Sequence, residues 1–454
     1  MKYYFWNTLL ENPKYKSFLS RLSESFGVIL KNAGSLVGTQ AVTSAFGFLY
    51  WWLAARKFPP QAVGLASASV SAQLLLGTVG IMGFGTLLMG VLRRDPDLAG
   101  NLIASAIAAV GLAGIIIGLL FVWSTSWISS EMIVWSRNIW SVLLFAGSVS
   151  LTSILIVLDQ ALIGLLRGDV QLWRNTIFAL SKLIVLLALS YWSFQLSGIT
   201  IYVTWFIGNL FSLAFLIGYA SLKGVRIFSY RPKIGLIRKL GIDALVHHSL
   251  NLALQVPGLA LPVIVTILLS AQQNAYFYAS WMIASFSFVG PIALATVLYA
   301  VGSAEKDLLA QKFRFTLKLS LLIGFLACGG LMVIADPVLS LFGADYSNQA
   351  AWCLRILSLA VFPITFKNLY VAVYRIRNRI IIATRWVVLG SILELLLASA
   401  GCKAAGLVGL CIGWVIAVFI EGLIMSPVVL RVIKTGAFSG EPLPSELGVS
   451  IKSV

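Results

Sequence analysis

Six ionisable residues stand in stretches whose neighbours are almost all apolar: Asp159, Lys182, His247, Lys367, Glu394 and Glu421. A charged side chain at the centre of a membrane-spanning helix costs roughly 2.5–3.5 kcal/mol or more, so each is a functional candidate by default. Lys367, just after Pro363, suits an anion, since lysine binds phosphate as a point charge. Tyr370 and Tyr374 follow at i+3 and i+7 on one helix face. They suit stacking on sugar rings, or anchoring at the membrane interface. Asp159, Glu394 and Glu421 suit a coupling proton or sodium ion, or the pairing of a buried base. Lys182 needs an acid, with Asp159, Glu394 and Glu421 as the choices. His247 and His248 diverge by about 100° on a helix, so one of them faces a cavity, where it would touch phosphate. The expected substrate-binding set is Lys367, Tyr370 and His247. The expected ion-coupling or gating set is Asp159, Lys182, Glu394 and Glu421.

No cluster has metal-ligand spacing, and the four cysteines (Cys328, Cys353, Cys402, Cys411) show neither paired spacing nor a metal pattern. There is no nucleotide-binding loop and no catalytic-triad spacing, so no cofactor is expected.

The elements that must hold these residues are apolar helices. The chain has 454 residues, 59% hydrophobic and 11% charged, with a mean hydropathy of +0.94. That is a polytopic membrane protein, all-α, and the length suits twelve spans of about 20 residues each. They fall at 32–55, 62–92, 101–123, 140–166, 172–192 and 199–222, then at 242–269, 274–302, 315–335, 351–374, 380–400 and 404–430. Period-two alternation of a barrel is absent, so each span is a helix with its backbone bonds satisfied internally. The organisation follows: a cytoplasmic segment 1–31 with an amphipathic helix, a six-helix lobe 32–222, a basic linker 223–241, a second six-helix lobe 242–430 and a cytoplasmic tail 431–454. Residues 1–31 lack the apolar core of a cleavable signal peptide. Lys and Arg number 33 against 16 acids. With twelve spans nearly all these bases collect on one side, which the positive-inside rule makes cytoplasmic, with both termini there. The excess of base is thus a topology signal, and nucleic acid is not an expected partner. Pro257, Pro262, Pro291 and Pro363, with Gly77, Gly80, Gly83, Gly85 and Gly90, predict bent helices.

The two halves repeat. Phe58–Ser67 and Ser270–Ser280 are polar turns that open small-residue helices. Leu158–Arg167 lies over Phe366–Arg375, and at the same offset Gly198 falls on Gly406. Two sets of six spans share one orientation, a parallel repeat about the membrane normal. This register places Asp159 opposite Lys367, so that the two would pair across the lobes in one state and part in the other.

Several stretches resemble the polysaccharide and O-antigen lipid flippases of the multidrug/oligosaccharidyl-lipid/polysaccharide exporter superfamily. They are Phe342-Gly-Ala-Asp-Tyr346, Leu354-Arg-Ile-Leu357, the Tyr370…Arg375 exit, the Phe58–Ser67 turn and the Gly85-Thr86…Arg93-Arg94 end of span two. The resemblance implies two six-helix lobes, alternating access, and the flipping of a polyprenyl-diphosphate-linked oligosaccharide from the inner to the outer leaflet for lipopolysaccharide or other cell-surface polysaccharide synthesis. Its implied setting is the cell inner membrane. Its implied partners are membrane lipids, the lipid-linked glycan, a glycan polymerase and glycosyltransferases. Cationic central cavities are frequent in that family, whereas spans one and two here hold no buried base. An ion-coupled multidrug antiporter of the same superfamily is the alternative; cationic drugs want acids in spans one and seven, where only Asp243 is found. A membrane glycan polymerase or ligase would need a large outer loop, and the longest candidates, Ser124–Ile139 and Asp336–Gln349, are short.

Overall fold

The computed structural model describes residues 44–92, 96–192, 197–224, 242–304 and 309–435, with single positions 27, 230 and 232. The expected amphipathic helix, the first part of span one, nearly all of the basic linker and the tail beyond Thr435 lie outside them. Among the described residues there is no strand. The first lobe holds α1 (44–57), α2 (Pro60–Gly80), α3 (Phe84–Val91), α4 (Pro96–Ile128), α5 (Ile139–Gly164), α6 (Gly168–Trp192) and α7 (Gly198–Leu222). The second holds α8 (Ile242–Leu268), α9 (Ala271–Ala304), α10 (Leu309–Ser340), α11 (Ala344–Ser358), α12 (Val361–Ile376) and α13 (Ile380–Thr435). Among the described residues, nine helices are long and apolar enough to cross a membrane, and the bent pair α11–α12 makes a tenth. The 56-residue α13 is two spans merged across a break at Ala405 and Gly406, and α1 is the described part of the first span. The architecture is a multi-pass membrane bundle of twelve spans in two six-helix lobes.

Local chemistry explains the breaks. Span two stops after Gly80 and resumes at Phe84, because Met82 (φ 48°) and Gly83 (φ 84°) are left-handed. Span ten bends by 42° between Ser358 and Val361. Pro363 lies just inside α12. It has no N–H to offer the Leu359 carbonyl four residues back, and its ring crowds that carbonyl. The Leu359 carbonyl instead accepts a long 3.4 Å bond from the Phe362 amide.

Helix ends also correct the register of the repeat. α5 closes on left-handed Leu166, with the Arg167 amide donating to Leu162 at 2.8 Å; α12 closes on left-handed Asn378, with the Arg379 amide donating to Tyr374 at 2.9 Å. Both are the same six-to-one C-terminal motif. Arg167 therefore corresponds to Arg379, not to Arg375. Lys367 lies a full turn farther from its helix end than Asp159 does from its own, and the two are not equivalent positions.

A band of exposed rings (Trp123, Trp127, Trp140, Tyr191, Trp192 and Trp352) surrounds the end of the bundle that carries the Pro59 and Ser270 turns, as expected for an aromatic belt at a membrane face. At this turn end the lobes are sealed together. A Cβ on Gly64 of α2 would lie 1.6 Å from the Ala271 carbonyl oxygen of α9, so only glycine allows the approach. Asn274 Nδ2 donates to the Gly64 carbonyl at 2.8 Å and to Ser67 Oγ at 3.0 Å. Arg56 and Trp52 of α1 donate to the Leu341 carbonyl at 2.6 and 2.9 Å, and Arg56 reaches the Ser340 carbonyl at 3.3 Å. These acceptors stand at the C-terminus of α10, the negative end of its dipole, where the Ser340 carbonyl also accepts from the Gly343 amide at 3.1 Å. At the opposite, basic end, Thr86 Oγ1 donates to the Ala244 carbonyl at 3.2 Å.

Candidate functional site: a buried lysine between two carboxylates

Lys367, Glu394 and Glu421 meet inside the second lobe. Lys367 Nζ is 2.6 Å from Glu394 Oε1 and 2.8 Å from Glu421 Oε2. Their exposures are 6%, 2% and 3%, so water screens none of these contacts. Trp414 Nε1 donates to the second Glu394 oxygen at 2.5 Å, and its indole is held edge-on by Trp281 of α9, 4.7 Å between centroids. Charge-assisted bonds of this length are the strong ones. The site carries one ammonium against two carboxylates.

Glycines make room for it. A Cβ on Gly390 would fall 2.3 Å from the Glu421 carboxyl carbon. The two arms of α13 touch backbone to backbone. A Cβ on Gly401 would meet the Gly409 carbonyl oxygen at 2.1 Å, and one on Gly413 the Leu397 carbonyl oxygen at 2.1 Å. Glu394 and Glu421 thus ride on one welded hairpin. Gly422 presses on Pro363 at the bend of span ten, and Lys367 follows one turn later.

The first lobe separates the other expected residues. Asp159 Oδ2 pairs with Arg174 Nη2 at 2.5 Å, and that nitrogen also bonds Asn175 Oδ1 at 2.6 Å. The expectation that Asp159 meets Lys367 is therefore not realised in this state. Arg167, eight residues on, turns to Asp169 and the Tyr219 hydroxyl. Lys182 finds none of its expected acids: Asp159 is held by Arg174, and both glutamates by Lys367. Its ammonium sits among rings, 3.9 Å from the centroid of Trp205, 4.6 Å from Phe178 and 4.9 Å from Tyr50. Lys182 is 5% exposed, and among the described residues no carboxylate lies within ion-pair distance. Tyr50 is fixed by bonds to the Ile201 carbonyl at 3.1 Å and to Thr204 Oγ1 at 2.5 Å. The cage lies one ring from the seam between lobes, because Trp205 packs on Trp51, and Trp51 on Tyr278 of α9 at 4.8 Å.

Tyr370 is buried in the core of the second lobe, its ring 4.7 Å from that of Tyr374. It is not open to a cavity in this state. His247 is half-buried near the start of α8, one turn from the Ala244 contact at the basic end. Sequence reasoning missed Arg174, Trp414 and Gly390. Arg174 was legible in principle: it and Asp159 stand almost equally far either side of the Leu166 turn, where an antiparallel hairpin brings them level. Arg375, read as a topology signal, ties α12 to α8 through Asn251 Oδ1 at 2.9 Å. Trp414 and Gly390 had no signal, being one apolar residue and one glycine among many.

No family model matches the chain, and no curated protein sequence matches it. Solved structures do. One is described as the inward-facing conformation of a multidrug resistance MATE family transporter of the MOP superfamily; the TM-score is 0.64 at 16% identity, over 87% of this chain and 96% of that one. The outward-facing conformation of such a transporter scores 0.55 at 15% identity, over 90% and 96%. A MATE structure in complex with MaD5 scores 0.59 at 13% identity, over 90% and 96%. At such identities the likeness shows a shared fold.

Proposed function

We propose that this chain is an alternating-access membrane transporter that carries a polyprenyl-diphosphate-linked oligosaccharide across the bilayer for cell-surface polysaccharide synthesis. The observation that carries the reading is the Lys182 cage. An ammonium held by ring faces keeps hydrogen-bonding capacity for an incoming anion, whereas Lys367 is already outnumbered by carboxylates. A diphosphate is an anion that fits this need. An apolar crevice of about 420 Å³ along α9 and α10, bordered on one side by Phe48 of α1, supports a lipid-tailed cargo; Phe286 of α9 and Leu326 and Ile334 of α10 line it. The likeness to inward- and outward-facing transporters supports alternating access. The inner membrane, with both termini cytoplasmic, is the setting that the distribution of basic residues favours.

A second reading, an ion-coupled multidrug antiporter, is favoured by the excess of acidic over basic side chains in the Lys367–Glu394–Glu421 site and by multidrug transporters among the structural neighbours. In both readings this site belongs to coupling. Translocation of a fluorescent polyprenyl-diphosphate oligosaccharide by proteoliposomes separates them. Lys182→Met is expected to slow it at least tenfold with membrane insertion unchanged. Unaltered translocation in that variant removes the anion-binding role, and ethidium efflux without lipid translocation in the wild type establishes the antiporter.

A further inference from the structure

We propose that the Lys367 ammonium is a tethered substitute for a metal cation, filling a two-carboxylate pocket that would otherwise take sodium or another monovalent ion. The inference concerns the pocket alone and does not depend on the cargo.

Three features argue for a cation pocket rather than an incidental ion pair. The two carboxylates approach Nζ from separate arms of α13, at 2.6 and 2.8 Å. A lysine that only needed neutralising would need one. The carboxylates are also held in advance. Trp414 fixes Glu394, the Gly401, Gly409 and Gly413 contacts weld the arms, and Gly390 leaves the space Glu421 fills. Finally, Glu421 is buried and neither of its oxygens has a hydrogen-bond partner, Oε2 meeting Lys367 as an ion-pair contact at 2.8 Å. A buried carboxylate oxygen without a donor is costly, and it is the kind of hard ligand that a sodium ion takes.

Removing the ammonium while keeping the carboxylates would leave two buried negative charges. The effective penalty for burying an uncompensated ion is several kcal/mol, so the vacated pocket must recruit a metal cation, take up protons or come apart. With the lysine present it is full. The charge cannot diffuse away, and it can leave the carboxylates only if α12 moves. The two acids are rigidly joined to each other, whereas Lys367 stands beyond the 42° bend of span ten. The bend is the hinge about which the built-in cation would enter and leave. In this scheme a metal ion is not what drives the second lobe.

The test uses purified full-length protein in lipid nanodiscs, with sodium-22 as the probe and unfolding midpoints compared in sodium chloride and choline chloride of equal strength. Wild type is expected to bind no saturable sodium and to unfold at the same temperature in both salts. Lys367→Ser, which deletes the ammonium and leaves space, is expected to bind about one sodium per chain and to unfold several degrees higher in sodium. Adding Glu421→Gln should abolish both effects. If Lys367→Ser is monodisperse only when extracted in sodium, that is the same result in stronger form. Equal behaviour of Lys367→Ser in the two salts, including aggregation in both, overturns the proposal. So does Glu421-dependent sodium binding by the wild type. None of these outcomes reads lipid translocation, so they stand or fall apart from the cargo assignment.

Discussion

At the scale of single residues, both buried ion pairs obey one rule. Breaking a buried pair by removing one partner is far worse than removing both. Asp159 and Arg174 form a pair with side-chain exposures of 17% and 7%. Asp159→Ala should cost about 3 kcal/mol, since it strands the guanidinium. Asp159→Ala with Arg174→Met should recover a large part of that loss. Reversible unfolding in mixed micelles, run as a double-mutant cycle, checks this. Equal losses in single and double variants would show that the pair does not couple. Lys182 obeys a different rule: its cage of rings supplies electrostatic attraction to the ammonium without a counter-charge.

At the scale of elements, the bend in span ten places Lys367 against α13. Pro363→Ala restores an amide for the Leu359 carbonyl and removes the ring that crowds it. The expected outcome is a straighter span and a higher unfolding midpoint, with slower transport. Spin labels on α11 and α12, read by electron resonance, check the angle, and an unchanged distance would place the cause of the bend outside Pro363. Much of this level was legible beforehand. Hydropathy gave the spans, because each must satisfy its own backbone in lipid, and proline and glycine marked the bends in spans two and ten. The pairing of charged residues was much less legible. Matching Arg167 to Arg375 looked sound by residue type. Register, however, is decided by the left-handed residues Leu166 and Asn378, which are neither glycine nor alike. The shift of one turn separated Asp159 from Lys367. The clustering of Lys367 with Glu394 and Glu421 depends on backbone contact between the arms of α13, and a hydropathy pattern carries no trace of such an approach.

At the scale of the whole molecule, the two lobes are sealed at the turn end, where a handful of hydrogen bonds cross among the described residues. Arg56→Ala removes two bonds worth about 0.5–1.5 kcal/mol each, so the population open at that end should rise roughly five- to a hundredfold. Gly64→Val should act more strongly in the same direction, since its side chain would overlap the Ala271 carbonyl. Cysteine cross-linking between α2 and α9, quantified for both variants, checks the order. Cross-linking as efficient in Gly64→Val as in the wild type would show that the seal tolerates the added bulk.

The seal is also lopsided in its chemistry. Arg56 and Trp52 contribute side chains, but what they grip in the second lobe is the main chain at Ser340 and Leu341. A genetic screen would see only half of such a clasp. Missense alleles that weaken it directly can be recovered at Arg56 or Trp52, whereas no codon change at Ser340 or Leu341 deletes a carbonyl. Suppressors of an Arg56 allele should therefore gather in α1, or at residues that tilt the end of α10, and leave the grip itself blank on the mutational map.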